Sequence, residues 1–163
     1  MKKLEVFYDY ICPYCLKGHS YLVELMPKFP DVEVVWHPCE SHPRPERYGL
    51  HSDLCARGMY IALDQGADLM EYHRRMYRAA QSDGADIEDV SVLMKVVEGL
   101  LDPQAFGTAL SEGAYQDKLL EENRLVWEVY GFSAIPSYRM EGKALVAKPD
   151  VGVTRSGLEA FLR

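Results

Sequence analysis

The chain has 163 residues, of which 48% are hydrophobic and 26% are charged, and its net charge is −7. This composition is typical of a globular domain and excludes a disordered chain, because the apolar side chains suffice to form a core. The negative charge argues against non-specific binding to nucleic acid or to an anionic membrane. No apolar run approaches the roughly 18 residues of a membrane-spanning helix.

The first residues show no export signal. Two lysines follow Met1, as at the start of a signal peptide, but Glu5 and Asp9 interrupt the apolar segment that would have to come next. We therefore expect a cytoplasmic protein. In that reducing compartment the four cysteines do not indicate a disulfide framework, so catalysis, metal binding or packing must explain them.

The chain opens with a predicted β-α-β unit. Residues 3–9 alternate as in a strand, and their mixed faces favour a buried position in the sheet. Pro13 suits the first turn of a helix, where its missing N–H costs no hydrogen bond, and we expect this helix to run to about Leu25. A second predicted strand, at residues 32–36, ends at Pro38.

The middle of the chain, residues 52–130, is predicted to be helical. Asp102-Pro103 predicts a helix start, since an N-cap is followed by proline, and Ser111 is predicted to cap the next helix, which stops at Gly131. Before this region lies a predicted loop at residues 38–51. Three histidines lie in or next to that loop, and we expect them at the surface: His37, His42 and His51.

The last part of the chain returns to strands. Residues 137–140 and 143–147 flank Glu141-Gly142, a predicted hairpin turn. Either Thr154 or Ser156 is predicted to cap a final helix. The order of elements is therefore β-α-β, about 80 helical residues, then β-β-α, which predicts an α/β fold.

The sharpest chemical signal is Cys12-Pro13-Tyr14-Cys15, where a predicted strand ends and a predicted helix begins. A thiolate at that position meets unpaired N–H groups and the positive end of the helix dipole, which lowers a cysteine pKa from about 8.5 to roughly 3.5–7.5. Cys12 lies at the exposed helix start and is the expected nucleophile. Cys15 is one turn deeper, where it can displace a partner bound to Cys12.

A second motif lies between the last long helix and the hairpin. It contains Ile135-Pro136, and X-Pro bonds are the usual site of cis peptides.

Taken together, the two motifs and the order of elements resemble the DsbA-like branch of the thioredoxin superfamily, specifically its FrnE-type subgroup. The resemblance covers nearly the whole chain. The segments that carry it are Phe7-Tyr8-Asp9-Tyr10-Ile11-Cys12-Pro13-Tyr14-Cys15 and Tyr130-Gly131-Phe132-Ser133-Ala134-Ile135-Pro136-Ser137.

This resemblance implies a thioredoxin-like fold with a helical insertion. Residues 1–51 and 131–163 would form the thioredoxin-like domain, and residues 52–130 the helical insertion subdomain. It also implies a thiol–disulfide oxidoreductase that works without a bound cofactor or metal. Its partners would be protein thiols and disulfides or glutathione, and glutathione stays open as the reductant. The sequence assigns no oligomeric state.

The resemblance also assigns roles to individual residues. Cys12 would be the nucleophile, Cys15 the resolving cysteine and Pro136 a cis-proline that faces them. The backbone of Ile135 would pair with an extended substrate segment, a form of strand addition. The residues predicted to contact substrate are Pro13, Tyr14 and Ile135.

Two polar residues near the motif are candidates for tuning the cysteine pKa values. Asp9 precedes Cys12 by three residues and is either a base for Cys15 or a residue that caps the helix. His19 shares a helical face with both cysteines. It could stabilise a thiolate or relay a proton, but we prefer the interpretation that it is a packed or solvated helix residue.

The other cysteines leave one alternative open. Cys39 and Cys55 are predicted to be buried as small apolar side chains. Cys39 also begins a C-x-x-H spacing, so Cys12, Cys15, Cys39 and His42 could form a tetrahedral zinc site, which would make the chain a zinc-stabilised binding domain.

A glutathione-dependent isomerase or transferase is the other alternative. Relatives of this branch, 2-hydroxychromene-2-carboxylate isomerase and kappa-class glutathione transferase, use a single Ser or Cys, and the intact cysteine pair argues against that chemistry. The arginines at positions 74, 75 and 78 are predicted to form a solvated helix face. In the alternative they would meet a carboxylate of glutathione.

Overall fold

The computed structural model describes all 163 residues and contains a four-stranded mixed sheet and seven α-helices. The strands are β1 (Lys2–Tyr8), β2 (Val32–Pro38), β3 (Ser137–Met140) and β4 (Lys143–Val146). The helices are α1 (Pro13–Leu25), α2 (Asp53–Asp64), α3 (Leu69–Gln81), α4 (Val90–Val96), α5 (Pro103–Ser111), α6 (Gln116–Arg124) and α7 (Arg155–Leu162). A 3₁₀ turn, Met26–Lys28, follows α1, and a π-helical turn, Leu125–Val129, continues α6. The predicted order of elements is confirmed.

The sheet has the strand order β2-β1-β3-β4, with β1 in the interior. β1 is parallel to β2 and antiparallel to β3, so that Val6 lies opposite both Trp36 and Tyr138. Leu4 and Phe7 point to opposite faces of β1 and both are fully buried. Helices cover both faces of this strand, which explains why its sequence is apolar on both sides.

The hairpin and the final helix form as the sequence predicts. Glu141 and Gly142 join β3 to β4 with φ angles of 50° and 79°. Two successive residues with positive φ match the right-handed twist of the flanking strands. Thr154 caps α7, because its hydroxyl accepts the Gly157 N–H at 3.0 Å.

The start of α6 differs from the prediction. Ser111 does not cap it, because Ser111 is the last residue of α5, and Glu112 still donates its N–H to the Thr108 carbonyl at 2.9 Å. α6 begins after Tyr115, which has a φ of 63° and makes no side-chain cap. Asp102, in contrast, caps α5 as predicted and accepts the Gln104 N–H at 3.0 Å.

The helical insertion packs directly onto the sheet. The Tyr8 hydroxyl of β1 donates to the Met59 sulfur of α2 at 3.1 Å, and 32 buried side chains from both parts form one continuous cluster. The division into residues 1–51 with 131–163 and residues 52–130 therefore stays a prediction. None of the helices has the length and apolarity that crossing a bilayer requires.

The surface placement predicted for two histidines is wrong. His37 belongs to β2, stacks on Phe7 and approaches Glu122 of α6 to 2.7 Å. His51 is buried and contacts the His42 carbonyl oxygen through Nδ1 at 2.9 Å. His37 lies on a strand that α6 covers, and His51 lies where the loop folds back before α2.

Candidate active site

Cys12 and Cys15 lie at the N-terminus of α1, directly after β1. Cys12 is the N-cap: its backbone is extended and its sulfur accepts the Cys15 N–H at 3.3 Å. Serine, aspartate or asparagine oxygens usually occupy this position. A negatively charged sulfur is stabilised here, since it pairs with an N–H that the helix would otherwise leave free. Pro13 occupies the first helical position, as predicted.

The two thiols differ in burial and in pKa. The pKa of Cys12 is lowered mainly by a hydrogen bond from the Cys15 thiol. The backbone N–H groups of Cys15 and Tyr14 lower it further, whereas partial burial of the sulfur raises it. Cys15 is only 1% exposed, and burial raises its pKa well above the ordinary value. Cys12 is therefore the thiol that ionises first as the pH rises.

The loop before β3 faces the nucleophile. The Ile135 carbonyl oxygen lies 3.9 Å from the Cys12 sulfur, although 123 positions separate them, and the Ile135–Pro136 peptide bond is cis. The Pro136 ring also lies against α1, because a Cβ built on Gly18 would be 3.1 Å from its Cγ. The fold thus brings the two sequence motifs into one site.

Tyr14 extends the surface around Cys12. Its ring is partly exposed and covers Gly152, where an added Cβ would lie 3.1 Å from Tyr14 Cδ1. Gly152 also has a φ of 80°, a conformation that favours glycine. Pro13 is exposed beside it. Both residues are accessible next to the nucleophile, and their contact with substrate stays a prediction.

Asp9 is buried and braces the turn that leads to Cys12. One carboxylate oxygen accepts the Ile11 N–H at 3.1 Å and the other accepts the Ser41 N–H at 2.7 Å. Burial raises its pKa although these hydrogen bonds oppose the change. Its prediction as a helix cap is wrong, because Cys12 itself is the cap. Asp9 acts on the pKa of Cys15 in two opposing ways, because a hydrogen bond to its backbone lowers that pKa and its charge raises it.

His19 lies in an aromatic cluster below the site. Its ring centroid is 5.3 Å from that of Tyr77, 5.4 Å from that of His73 and 5.7 Å from that of Trp36. Burial lowers the pKa of His19 to about 4, so the ring is neutral at pH 7. This is the packed placement that we preferred from the sequence, and it gives His19 no charge with which to stabilise a thiolate.

Gln81 belongs to the site although no sequence signal indicates it. It is the last residue of α3, and its amide nitrogen donates to the Tyr10 carbonyl at 2.8 Å and to the Cys12 carbonyl at 3.0 Å. The helical insertion therefore holds the turn that carries the nucleophile. A glutamine near a helix end is common, and both of its partners lie about 70 positions away, so sequence reasoning missed it.

The residues of the zinc alternative do not come together. Cys39 donates its thiol to the Tyr8 carbonyl at 3.4 Å, and His42 lies 3.0 Å from a Glu46 carboxylate oxygen. No group of three or more His, Cys, Asp or Glu side chains in the structure has the geometry to hold a metal ion. The predicted burial of Cys39 and Cys55 is confirmed, since both are fully buried free thiols.

The family model of the DSBA-like thioredoxin domain matches residues 3–156, a range that includes both the cysteine pair and the loop that faces it. The chain belongs to this family. The family supports an enzyme of the thiol–disulfide oxidoreductase kind, and it confirms the thioredoxin-like fold that the sequence predicts. The FrnE-type subgroup stays a prediction.

Individual relatives agree with the family. The uncharacterized protein YwbO of Bacillus subtilis (strain 168) is 26% identical over 171 residues, which is 83% of this chain and 84% of that protein. A probable DsbA oxidoreductase from Streptomyces coelicolor has a TM-score of 0.79 at 15% identity, covering 99% of this chain and 88% of that one. The cytosolic disulfide reductase DsbM of Pseudomonas aeruginosa has a TM-score of 0.70 at 17% identity, and the match covers 98% of this chain and 96% of that one. At these identities the two structures show the fold alone.

Proposed function

We propose that this protein is a thiol–disulfide oxidoreductase that exchanges disulfides with protein substrates through Cys12 and Cys15. One observation carries the proposal: the Cys12 sulfur occupies the N-cap of α1, 3.3 Å from the Cys15 backbone nitrogen. This position favours the thiolate and keeps the second sulfur one turn behind it. Membership of a family with this kind of chemistry supports the proposal.

The reaction has two steps, each a sulfur exchange. The Cys12 thiolate attacks one sulfur of a substrate disulfide, so that a Cys12–substrate bond forms while the substrate bond breaks, and the leaving thiolate takes a proton from water. Cys15 then loses its proton and attacks the Cys12 sulfur. A Cys12–Cys15 disulfide forms and the substrate leaves as a dithiol, reduced by two electrons. A small thiol or a dithiol protein must reduce the enzyme again.

The substrate segment in this proposal lies between the cysteine motif and the loop at Pro136. The Ile135 carbonyl is next to the Cys12 sulfur, where an extended backbone can pair with it. Pro13 and Tyr14 are exposed and directly follow Cys12 in the chain. All binding is through protein groups, and the proposal includes no cofactor other than the cysteine pair.

We also propose that the protein works in the cytoplasm, mainly as a reductase or isomerase. The redox-active pair in this proposal is Cys12 and Cys15, because Cys39 and Cys55 are fully buried. A cytosolic glutathione potential of about −220 to −320 mV keeps such a pair largely reduced, and a reduced pair acts on substrate disulfides. In an oxidising compartment the same steps would run in reverse and oxidise dithiols.

Reduction of insulin by dithiothreitol tests the proposal. The protein should accelerate the reaction and Cys12→Ser should abolish the acceleration. Cys15→Ser should accumulate a mixed disulfide with insulin chains, visible by mass spectrometry without reductant. Cys55→Ala is the matched control: it removes a buried thiol outside the pair and should keep the rate. An active Cys12→Ser variant would overturn the assignment. If Cys15→Ser isolated from cells carried only glutathione, the glutathione-dependent alternative would replace it.

A further inference from the structure

A groove of about 760 Å³ runs between α1 and α3, beside the candidate active site. The proposed oxidoreductase function does not use it. Its main side chains come from α1 on one wall and from α3 on the other. The residues that define it are Leu16, His19, Val23, Met70, Tyr77 and Arg78.

The groove starts next to the nucleophile. Leu16 lies four residues after Cys12 on the same face of α1, about 6 Å further along the helix. On the other wall Ser82 follows Gln81, which is hydrogen-bonded to the Cys12 carbonyl. A segment bound at the Cys12 sulfur can therefore continue directly into the groove.

The inner surface of the groove is largely apolar and aromatic. Val23 is 46% exposed and Met70 is 40% exposed, and both are among the few large apolar side chains that the fold leaves open to solvent. The rings of His19 and Tyr77 lie 5.3 Å apart between them. Such a surface suits the apolar side chains of a polypeptide.

The charge along the groove is not uniform. α3 carries three arginines and one glutamate in a chain whose net charge is negative. Glu71 forms an ion pair with Arg74 at 2.7 Å and a second one with Arg75 at 2.9 Å. Arg78, which lies one turn before Gln81 in α3, has only a long ion pair with Asp83 at 3.5 Å, in which the side chains are 64% and 52% exposed.

The acidic groups of the groove lie away from Arg78. Glu24 is near the C-terminus of α1 and pairs with Arg155 at 3.1 Å. Asp68 caps the N-terminus of α3, at the opposite end from Gln81. Arg78 is therefore the one charged side chain that lines the groove at the end near Cys12, and its partner Asp83 does not line the groove. A cation at this end, held by one long and exposed ion pair, favours an acidic side chain close to the reacting cysteine.

We propose that this groove binds the polypeptide segment next to the substrate cysteine, and that Arg78 selects an acidic residue two or three positions from that cysteine. Arg78 precedes Gln81 by three residues, or about 4.5 Å of helix. An extended chain advances about 3.3 Å per residue, so two or three residues span a distance of this order. The inference rests on the proposed function and adds a substrate class to it.

Synthetic peptides with one cysteine test the inference. The peptide cysteine forms a mixed disulfide with a chromophoric aromatic thiol. Each peptide carries Glu, Gln or Lys two or three residues before or after that cysteine. The Cys12 thiolate of the Cys15→Ser variant attacks the peptide sulfur, because the aromatic thiol is the better leaving group. The Cys12–peptide bond forms as the old disulfide breaks, and the aromatic thiolate is measured by absorbance. The rate with dithiothreitol corrects for the intrinsic reactivity of each peptide.

We expect the Glu peptide to react roughly two- to fivefold faster than the Gln peptide on at least one side, the range of an exposed ion pair. Added salt at 1 M should remove the difference, since the Debye length then falls to about 3 Å. Arg78→Glu should reverse the order and favour the Lys peptide. Lys17→Glu is the matched control, because Lys17 is exposed on α1 near Cys12 and does not line the groove.

Equal corrected rates for the Glu and Lys peptides would overturn the inference but leave the oxidoreductase function intact. The same holds if Lys17→Glu reverses the order as strongly as Arg78→Glu. If no peptide reacts and insulin is not reduced, the proposed function itself fails. Because Arg78 is exposed and weakly paired, its variants should keep the circular dichroism spectrum and unfolding midpoint of the parent.

Discussion

At the residue scale, Cys12 and Cys15 are the same kind of side chain in two different environments. Cys12 receives the Cys15 N–H at the end of α1, whereas Cys15 is enclosed by the core. The backbone position therefore decides which sulfur ionises first. Gln81 adds to this environment from the helical insertion, because it holds the Cys12 carbonyl.

The first prediction concerns the order of ionisation. In the reduced protein, iodoacetamide should label Cys12 with a pKa clearly below about 8.5 and leave Cys15 unlabelled. Since the thiolate is the reactive form, the labelling rate should rise with pH through that lowered pKa and then level off. Cys15→Ala should shift the profile to higher pH, because it removes the hydrogen bond that contributes most. A Cys12 pKa of 8.5 or above in the intact protein would contradict this.

The second prediction concerns Gln81. Gln81→Met keeps the size of the side chain but removes both donated hydrogen bonds, so unfolding free energy should fall by about 1–3 kcal/mol. Gln81→Glu places a carboxylate near the thiolate and should raise the pKa of Cys12 as well, which the labelling profile measures. Gln104→Met, an exposed change on α5, is the control and should alter neither quantity. An unchanged pH profile in Gln81→Glu would remove Gln81 from the site.

At the element scale, α1 approaches the sheet so closely that a glycine is required within the helix. A Cβ on Gly18 would lie 2.6 Å from the Tyr138 hydroxyl oxygen and 3.1 Å from Pro136 Cγ. Glycine in a helix interior costs about 1 kcal/mol relative to alanine. The contact of α1 with β3 and the Pro136 loop requires this residue despite that cost, and it sets how near the loop comes to Cys12.

The third prediction tests this contact. Gly18→Ala should lower the free energy of unfolding by about 1–3 kcal/mol, because overpacking outweighs the gain in helix propensity. Tyr138→Phe in the same variant removes the nearest atom and should recover part of the loss. Denaturant unfolding gives both values. Ser20→Ala, at an exposed position of α1, should be neutral or slightly stabilising. A Gly18→Ala variant more stable than the parent would show that the space between Gly18 and Tyr138 accommodates a methyl group.

At the scale of the whole molecule, His73 joins the helical insertion to the sheet. It is fully buried on α3, lies 2.8 Å from the Tyr10 hydroxyl through Nδ1 and packs 4.4 Å from the Trp36 ring of β2. Its Nε2 has no partner in the structure. Burial, and to a lesser extent His19, lowers the pKa of His73 to about 3. Between about pH 3 and pH 6.5, His73 is therefore neutral in the folded protein but protonated in the unfolded chain.

The fourth prediction follows from this linkage. Below about pH 6.5 the unfolded chain binds a proton at His73 that the folded protein does not, so stability should fall as pH decreases toward 3. This residue alone should account for about 2 kcal/mol between pH 7 and pH 5. Burial raises the pKa of Asp9 and Glu40, which opposes the trend, so variants must be compared at each pH.

His73→Phe is the test of that prediction. It removes the titrating group and keeps an aromatic ring, so its stability should be lower at pH 7 but less dependent on pH than that of the parent. Met76→Leu, at a fully buried position of the same helix that does not titrate, should keep the parent slope. Parallel pH profiles for the parent and His73→Phe in guanidinium unfolding would contradict the neutral state of His73.

The sequence alone determined the features that depend on neighbouring residues. Pro13 begins a helix and Glu141-Gly142 forms a turn because backbone dihedral preferences decide both locally. Asp102 caps α5 because its carboxylate reaches N–H groups two and three residues away. The order of elements, the position of the cysteine pair and the fold class followed from such local rules.

Only the tertiary structure decided that Gln81 reaches Cys12 and that Asp9 binds the Ser41 backbone, because the partners are far apart in the chain. The approach of Ile135 to the Cys12 sulfur depends on the same packing, and the sequence indicated it only through the family resemblance. His37 is partly covered because α6 packs over its strand. These contacts depend on how helices and strands pack, and the packing minimises exposed apolar surface over the whole chain, so no local pattern records it.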